Sequence, residues 1–351
     1  MIKRTWYFLL QWYVYFGLKF YFKKLIVRGT ENIPEGPVIF AANHQNAFMD
    51  ALVMATTNKR YDHFLVRADI FKKPFVRWLL GTLNMWPIYR IRDGRQALAQ
   101  NKETFDYCMK AFLQDEAIIM FPEGSHGEKR TVRSLSKGFT RVAFETLEQY
   151  PALTINIVPV GLNYSAHPKF RSSASIYFGI PIKANDYFKE PLQAESARLR
   201  LDLMESMKKL TTHIEDLDHY SDIISKLENS GINYLDPVDA NQRVANIEYL
   251  KPSTKATEGN SAGKILLFPF YYLALLINAP QLALWNSTAK KIKDPVWIAS
   301  IKFCLGIFVF PVVYLVETLI VYKLGGLFPT IGFGFFCVLS MLIIEFVRRD
   351  N

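Results

Sequence analysis

Cysteine is scarce in this chain: three in 351 residues, Cys108, Cys304 and Cys337, far apart and with no CxxC pair. That leaves no basis for a disulfide framework or a thiolate metal site, and it suits a reduced, cytoplasmic catalytic domain. Charge is thin as well. Charged residues make up 21% of the chain against 50% hydrophobic and 15% aromatic, more apolar surface than a soluble domain alone would bury. Acidic residues are outnumbered by basic ones, giving a formal net charge of +10. Such an excess suits nucleic acid, an anionic membrane surface or a phosphate-bearing substrate. Here the basic residues flank apolar segments, so the lipid bilayer is the expected partner and nucleic acid is not.

The N-terminal apolar run also lacks something. Trp6–Leu18 follows Lys3 and Arg4 as a signal peptide would, but Lys19, Lys23 and Lys24 stand where a small-residue cleavage site belongs. The run is also shorter than the roughly 20 residues that a spanning helix needs. Aromatics with lysines at both ends predict a helix lying in the membrane interface over residues 1–24, with a buried helix of the soluble domain as the alternative.

From Val27 to about Lys183, short Val-, Ile- and Phe-rich runs alternate with segments of helical periodicity. Val38–Ala42, Ala117–Phe121, Ile155–Gly161 and Ser175–Ile180 read as strands; Arg95–Phe112 and Leu135–Leu147 read as amphipathic helices. This is an α/β layout. Residues from Pro191 to Glu228 read as charged helix without chemistry, completing a domain over 25–228, and 229–263 reads as a linker.

The remaining stretch, 264–351, is a membrane region. Val296–Tyr322 and Phe328–Val347 are long enough to span a bilayer, while Ile265–Leu284, interrupted by Pro269, Asn278 and Pro280, suits a re-entrant segment. Lys290, Lys291, Lys293, Arg348 and Arg349 place both flanks of the spanning pair, and with them the catalytic domain, on the cytoplasmic side. Lys302, Glu317 and Glu345 lie within or near the spans as packing partners or functional groups.

The chemistry begins where the first buried strand runs into Asn43, His44, Gln45 and Asn46, with Asp50 six residues beyond the histidine. A strand-end histidine with an acidic partner is the pattern of a general base whose tautomer is fixed by a carboxylate. Six residues on a regular helix turn through about 600°, so the two meet only across a non-helical turn. Spacing alone does not single them out, because His63 has Asp69 six residues on and His213 has Asp218 five residues on.

What distinguishes His44 is its company. The second strand ends in Phe121-Pro122-Glu123-Gly124-Ser125-His126-Gly127, a turn able to present N–H groups to an anion, followed by Arg130, Arg133 and Lys137. Trp86-Pro87-Ile88-Tyr89-Arg90-Ile91-Arg92 offers two arginines suited to bidentate phosphate binding. Val158-Pro159-Val160-Gly161-Leu162-Asn163 is a buried strand whose proline suits an edge or bulge. His44, Glu123 and His126 show no metal-ligand spacing, and no cofactor is expected.

In order and interval these four segments, all within 38–163, resemble the four sequence blocks of the PlsC-type glycerolipid acyltransferase family, the 1-acylglycerol-3-phosphate and glycerol-3-phosphate acyltransferases. The resemblance extends over roughly residues 25–185. It implies a mixed sheet flanked by helices. It also implies an acyl-CoA or acyl-carrier-protein donor and a phosphate-bearing glycerol acceptor in phospholipid synthesis. His44 becomes the general base and Asp50 its orienting partner. Asn43, Arg90, Arg92, Glu123, Gly124, Ser125, His126, Arg133 and Lys137 become the acceptor-binding positions.

Two departures stand out. The family usually has four residues between His and Asp, and this chain has five; its third block ends Gly-Ser-His where the family has Gly-Thr-Arg. Both are similar to the eukaryotic glycerol-3-phosphate and dihydroxyacetone-phosphate acyltransferase branch, which tends to carry a membrane-spanning C-terminal part. The missing arginine leaves the phosphate clamp to Arg130, Arg133 or Lys137. It also leaves open transfer to a non-phosphate hydroxylated lipid, or an inactive lipid-binding protein of the same fold.

Overall fold

The computed structural model describes residues 2–89, 99–252 and 261–348, with two compact units, 1–166 with 172–252 and 167–171 with 253–351. Arg90 and Arg92 lie outside the described residues.

The first unit is built on an eight-stranded mixed sheet. Its strands are β1 (Lys24–Arg28), β2 (Val38–Ala42), β3 (Asp62–Arg67), β4 (Met85–Ile88), β5 (Ala117–Met120), β6 (Asn156–Tyr164), β7 (Ser173–Phe178) and β8 (Ile182–Lys183). The spatial order is β1-β7-β6-β2-β5-β3-β4, with β8 beside β6. Strands β2 to β6 run parallel, and β7 is antiparallel to β6. Central β2 and β5 are apolar throughout and buried at every position, as a parallel strand covered on both faces must be.

Helices cover the sheet: α1 (Ile2–Tyr21), α2 (Phe48–Thr57), α3 (Pro74–Thr82), α4 (Asn101–Phe112), α5 (Gly138–Gln149), α6 (Leu192–Leu210), α7 (Tyr220–Asn229) and α8 (Pro237–Ala245). Phe112, Phe139, Leu199 and Leu203 from α4, α5 and α6 pack with Ile39 and Ile118 in one core.

Three sequence readings change. Pro159 is not at an edge: β6 is interior, and the proline sits where its neighbour switches from β7 at Val160 to β8 at Ile157. Pro159 stays paired with Ala41 in the ladder to β2, and on the other side of β6 it falls between the β7 and β8 ladders. Pro87, by contrast, lies in the edge strand β4. Residues 230–252, read as linker, belong to the first unit and form α8, which Asp236 caps by accepting the N–H groups of Val238 and Asp239. The short β1, β3 and β4 went unread because their alternation is too brief to register. Helix α1 has a side packed on the first unit and an exposed aromatic side. Tyr7, Val14, Leu18 and Tyr21 are buried, while Trp6, Leu9, Trp12, Phe16 and Phe20 are exposed.

In the second unit α9 (Ser261–Ile277) and α10 (Ala279–Ala289) are bent by 68° at Asn278. The long helices α11 (Trp297–Gly325) and α12 (Leu327–Arg348) have the length and apolar composition to cross a membrane. Helix α11 loosens into a π-helical turn over Leu305–Val309, just before Pro311, where a proline removes the normal backbone bond. Asn278 donates to Ser340 at 2.7 Å and accepts from the Tyr314 hydroxyl, tying the bend to both long helices. Glu317 accepts from Gln281 at 3.3 Å, and the Lys302 ammonium lies 4.9 Å from the centre of the Trp285 ring.

Candidate active site

The C-terminal ends of β2, β5 and β6 meet at one edge of the sheet. Strand β2 ends at Ala42 and delivers Asn43 and His44. Three further non-helical residues, Gln45, Asn46 and Ala47, follow before α2 begins at Phe48. Ala47 takes φ 44°, ψ −129°, a conformation rare for an L residue, and reverses the chain so that the first turn of α2 returns beneath the histidine.

Asp50 comes back with it. Its Oδ2 lies 2.8 Å from His44 Nδ1 and accepts the backbone N–H groups of Gln45 at 2.9 Å and Asn46 at 2.8 Å. Its Oδ1 accepts the Tyr164 hydroxyl at 2.6 Å. The carboxylate is fully buried, yet it receives four donors, and such solvation replaces water around a buried charge. An ionised carboxylate can only accept, so the His44 proton resides on Nδ1 and Nε2 keeps its lone pair. The His44 side chain is 17% exposed, enough to reach a solvent-side reactant.

The ring is fixed from two further sides. Phe121, at the end of β5, stacks on it at 4.1 Å with an 18° interplanar angle, and His126 meets it edge-on at 5.7 Å. The Gly127 N–H donates to the His44 carbonyl at 3.0 Å, joining the two loops.

The third block forms a tight turn with Gly124 at φ +75°, a left-handed conformation suited to glycine. Its organiser is Arg133. The guanidinium Nε and Nη2 reach Glu123 Oε2, Nη1 reaches Ser125 Oγ at 2.9 Å, and Nη2 also reaches the Ser125 carbonyl. Four of the five N–H donors of Arg133 are therefore used within the loop. The Glu123 side chain is only 1% exposed. Burial raises its pKa above the ordinary carboxylate value, with the Arg133 charge opposing that rise.

The remaining predicted positions separate. Asn43 was expected to touch substrate, but it is fully buried. Its amide accepts the Leu162 N–H at 2.7 Å and donates to the Leu162 carbonyl at 3.0 Å, fastening β2 to β6. Glu123 likewise faces Arg133 rather than solvent. Arg130 is no stand-in for the absent arginine. It is buried 3.5 Å from the Tyr234 ring centre, donates to the Tyr164 carbonyl at 2.9 Å, and its pKa is lowered by burial. Gly124, Ser125 and Lys137 are exposed and His126 is half-buried.

The two competing His–Asp spacings dissolve. His63 pairs with Glu116 at 2.6 Å and Tyr107 at 2.7 Å, while Asp69 pairs with Arg67. His213 Nδ1 accepts the Val132 N–H at 3.1 Å. Tyr164 was missed, although it directly follows the fourth block and its hydroxyl reaches Asp50. Gly161 in that block has a steric reason: a Cβ there would lie 1.9 Å from the Leu210 carbonyl oxygen, so glycine permits α6 to end against β6.

Residues 24–163 match the family model described as Acyltransferase. The chain is 25% identical over 146 residues to the chloroplastic 1-acyl-sn-glycerol-3-phosphate acyltransferase of Arabidopsis thaliana, a match covering 40% of this chain and 39% of that protein. It is 22% identical over 267 residues to glycerol-3-phosphate O-acyltransferase 1 of Saccharomyces cerevisiae, covering 52% of this chain and 35% of that one. The chain thus spans about two fifths of these relatives' length or less. Among solved structures it is similar to the 1-acyl-sn-glycerophosphate acyltransferase PlsC of Thermotoga maritima, at 20% identity and TM-score 0.40, covering 56% of this chain and 78% of that one.

Proposed function

We propose, from the premise that residues 24–163 are a domain of the glycerolipid acyltransferase family, that this protein moves a fatty acyl chain from a thioester onto a hydroxyl of glycerol-3-phosphate or 1-acylglycerol-3-phosphate. The observation that carries the reading is the 2.8 Å contact between His44 Nδ1 and a buried Asp50 that holds three other donors.

His44 Nε2 removes the acceptor hydroxyl proton as the oxygen attacks the thioester carbonyl. The C–O bond forms, the C–S bond breaks, and the imidazolium returns the proton to the departing thiolate. Asp50 stabilises the transient imidazolium and holds its tautomer. The donor is acyl-CoA or acyl-carrier protein, and no resident cofactor takes part. The acceptor phosphate is held at the 124–126 turn by Ser125 and His126 and by the one Arg133 N–H not used within the loop. Arg90, Arg92 and Lys137 would supply further charge. The candidate spans α11 and α12 support membrane attachment, with the catalytic unit on the cytoplasmic face.

The test is acyl transfer by the full chain in membranes, with each thioester and each acceptor, for the parent and His44→Ala. Loss of thiol release with retained expression supports the reading, and an active variant sinks it. The Ser125-His126 ending of the third block gives a second reading some ground, namely transfer to a hydroxylated lipid without phosphate. Competition by glycerol-3-phosphate would count against that.

A further inference from the structure

Helix α3 has an unusual balance: nine residues, five of them hydrophobic, and none buried. Phe75, Trp78 and Leu79 are 69%, 64% and 36% exposed. Their i, i+3, i+4 spacing puts them on one stripe, and the Phe75 and Trp78 rings lie 5.9 Å apart. Ile70, 39% exposed, precedes the helix. Val76 and Leu80 occupy the adjoining, half-buried side. A short helix that leaves both of its aromatics exposed gives up apolar burial.

Charge names the occupant. Lys72, Lys73 and Arg77 are exposed around this stripe, and α3 itself carries no acidic residue. Aromatic side chains ringed by basic ones fit an anionic bilayer interface, where the rings sit among headgroups and the cations meet phosphate. A protein partner of equal fit would need an acidic rim around an apolar socket. The chain's own candidate spans α11 and α12 are long and apolar enough to cross a bilayer. Lys72, Arg77 and Gly81 also line an adjoining open cleft. Met85, at the start of β4, lines both that cleft and the apolar cleft beneath α1.

We propose that α3 is a membrane-contact element in its own right, inserting the Phe75–Trp78 stripe into an anionic lipid monolayer through a site distinct from the spanning helices. This does not depend on the acyl-transfer reading, and it is tested without activity.

The full chain is reconstituted in vesicles of phosphatidylcholine with or without phosphatidylglycerol. Spin labels are placed by Phe75→Cys, Trp78→Cys and, as an exposed control on α6, Glu205→Cys. The background has its native cysteines replaced and the parent's thermal midpoint. In phosphatidylglycerol vesicles, labels at 75 and 78 should lose broadening by an aqueous nickel chelate while keeping broadening by oxygen, and the control should keep both. Lys72→Glu with Lys73→Glu should remove that protection. Nickel access at 75 and 78 equal to that at 205 would overturn the surface. Equal protection without phosphatidylglycerol, unaffected by charge reversal, would overturn the anionic assignment. If the cysteine background does not fold, quenching by brominated lipid is compared between the parent and Trp78→Phe; an unchanged quenched fraction overturns the proposal.

Discussion

Tyr164 donates its hydroxyl to Asp50 Oδ1 at 2.6 Å, joining the end of β6 to the first turn of α2 across 114 sequence positions. Through that bond the histidine's partner is held by the sheet itself rather than by its own helix. Burial and the Asp50 charge hold the Tyr164 hydroxyl well above its ordinary pKa, so it remains a donor at working pH. Tyr164→Phe removes one of four donors to a buried carboxylate, a loss of about 1–3 kcal/mol. The expected result is a lower thermal midpoint together with a lower kcat for acyl transfer. Unchanged values of both would deny the bond its role.

Asp50→Asn replaces an acceptor with a group that can also donate, and so frees His44 to take the other tautomer. Transfer is expected to fall roughly 10³- to 10⁴-fold, with less effect on KM. Steady-state kinetics with saturating acceptor check the split.

Ala47 sits at φ 44°, where a Cβ is strained and glycine is not. Ala47→Gly relieves that strain against the added freedom of the unfolded chain, for a net gain of roughly 0.5–2 kcal/mol. A raised thermal midpoint with activity retained is the expected outcome. A fall would show that the alanine methyl packs for more than its backbone costs.

Glu123 tests the Arg133 buttress through pH. Burial raises its pKa in the fold above the ordinary carboxylate value, so the folded protein holds this proton more tightly than the unfolded chain does. Stability from this group is therefore lost as pH rises from the ordinary carboxylate value through the raised one. Arg133→Ala removes the opposing charge and should lift that pKa further. The gap in thermal midpoint between parent and variant should widen from acid to neutral pH, and Glu123→Gln in the same background should close it. A gap independent of pH would place the effect elsewhere.

Asp62, at the start of β3, gives a cleaner case of the same sign. Burial raises its pKa from 3.8 to about 8, against hydrogen bonds from Asn58 and Tyr7. Its contribution to stability falls as pH rises between those values. Asp62→Asn mimics the protonated acid, so it should leave the midpoint nearly unchanged in acid and raise it in alkali. A scan of thermal midpoint against pH for parent and variant decides.

How far the sequence could be read follows from the range of each signal. The central strands β2 and β5 were legible because continuous apolar runs betray burial on both faces. The long helices α11 and α12 were legible by length. Residues 230–252 misled because Asn, Pro and Asp mark helix starts as well as linkers, and Asp236 turned out to be a cap. At the site, His44 and Asp50 were legible as a pair needing a non-helical turn, but three His–Asp spacings looked alike.

By itself the sequence determined the α/β pattern, the apolar spans and the ordered blocks, because each is written in periodicity, length or local residue type. Only the tertiary structure decided that His44, and not His63, meets the aspartate six residues on, since that rests on a positive-φ alanine and on a tyrosine from a distant strand. It also decided that Asn43 fastens β2 to β6 and that Arg133 spends its donors on Glu123 and Ser125. Hydrogen bonds between strands far apart in sequence leave no periodic trace, so those roles emerge only when the chain is folded.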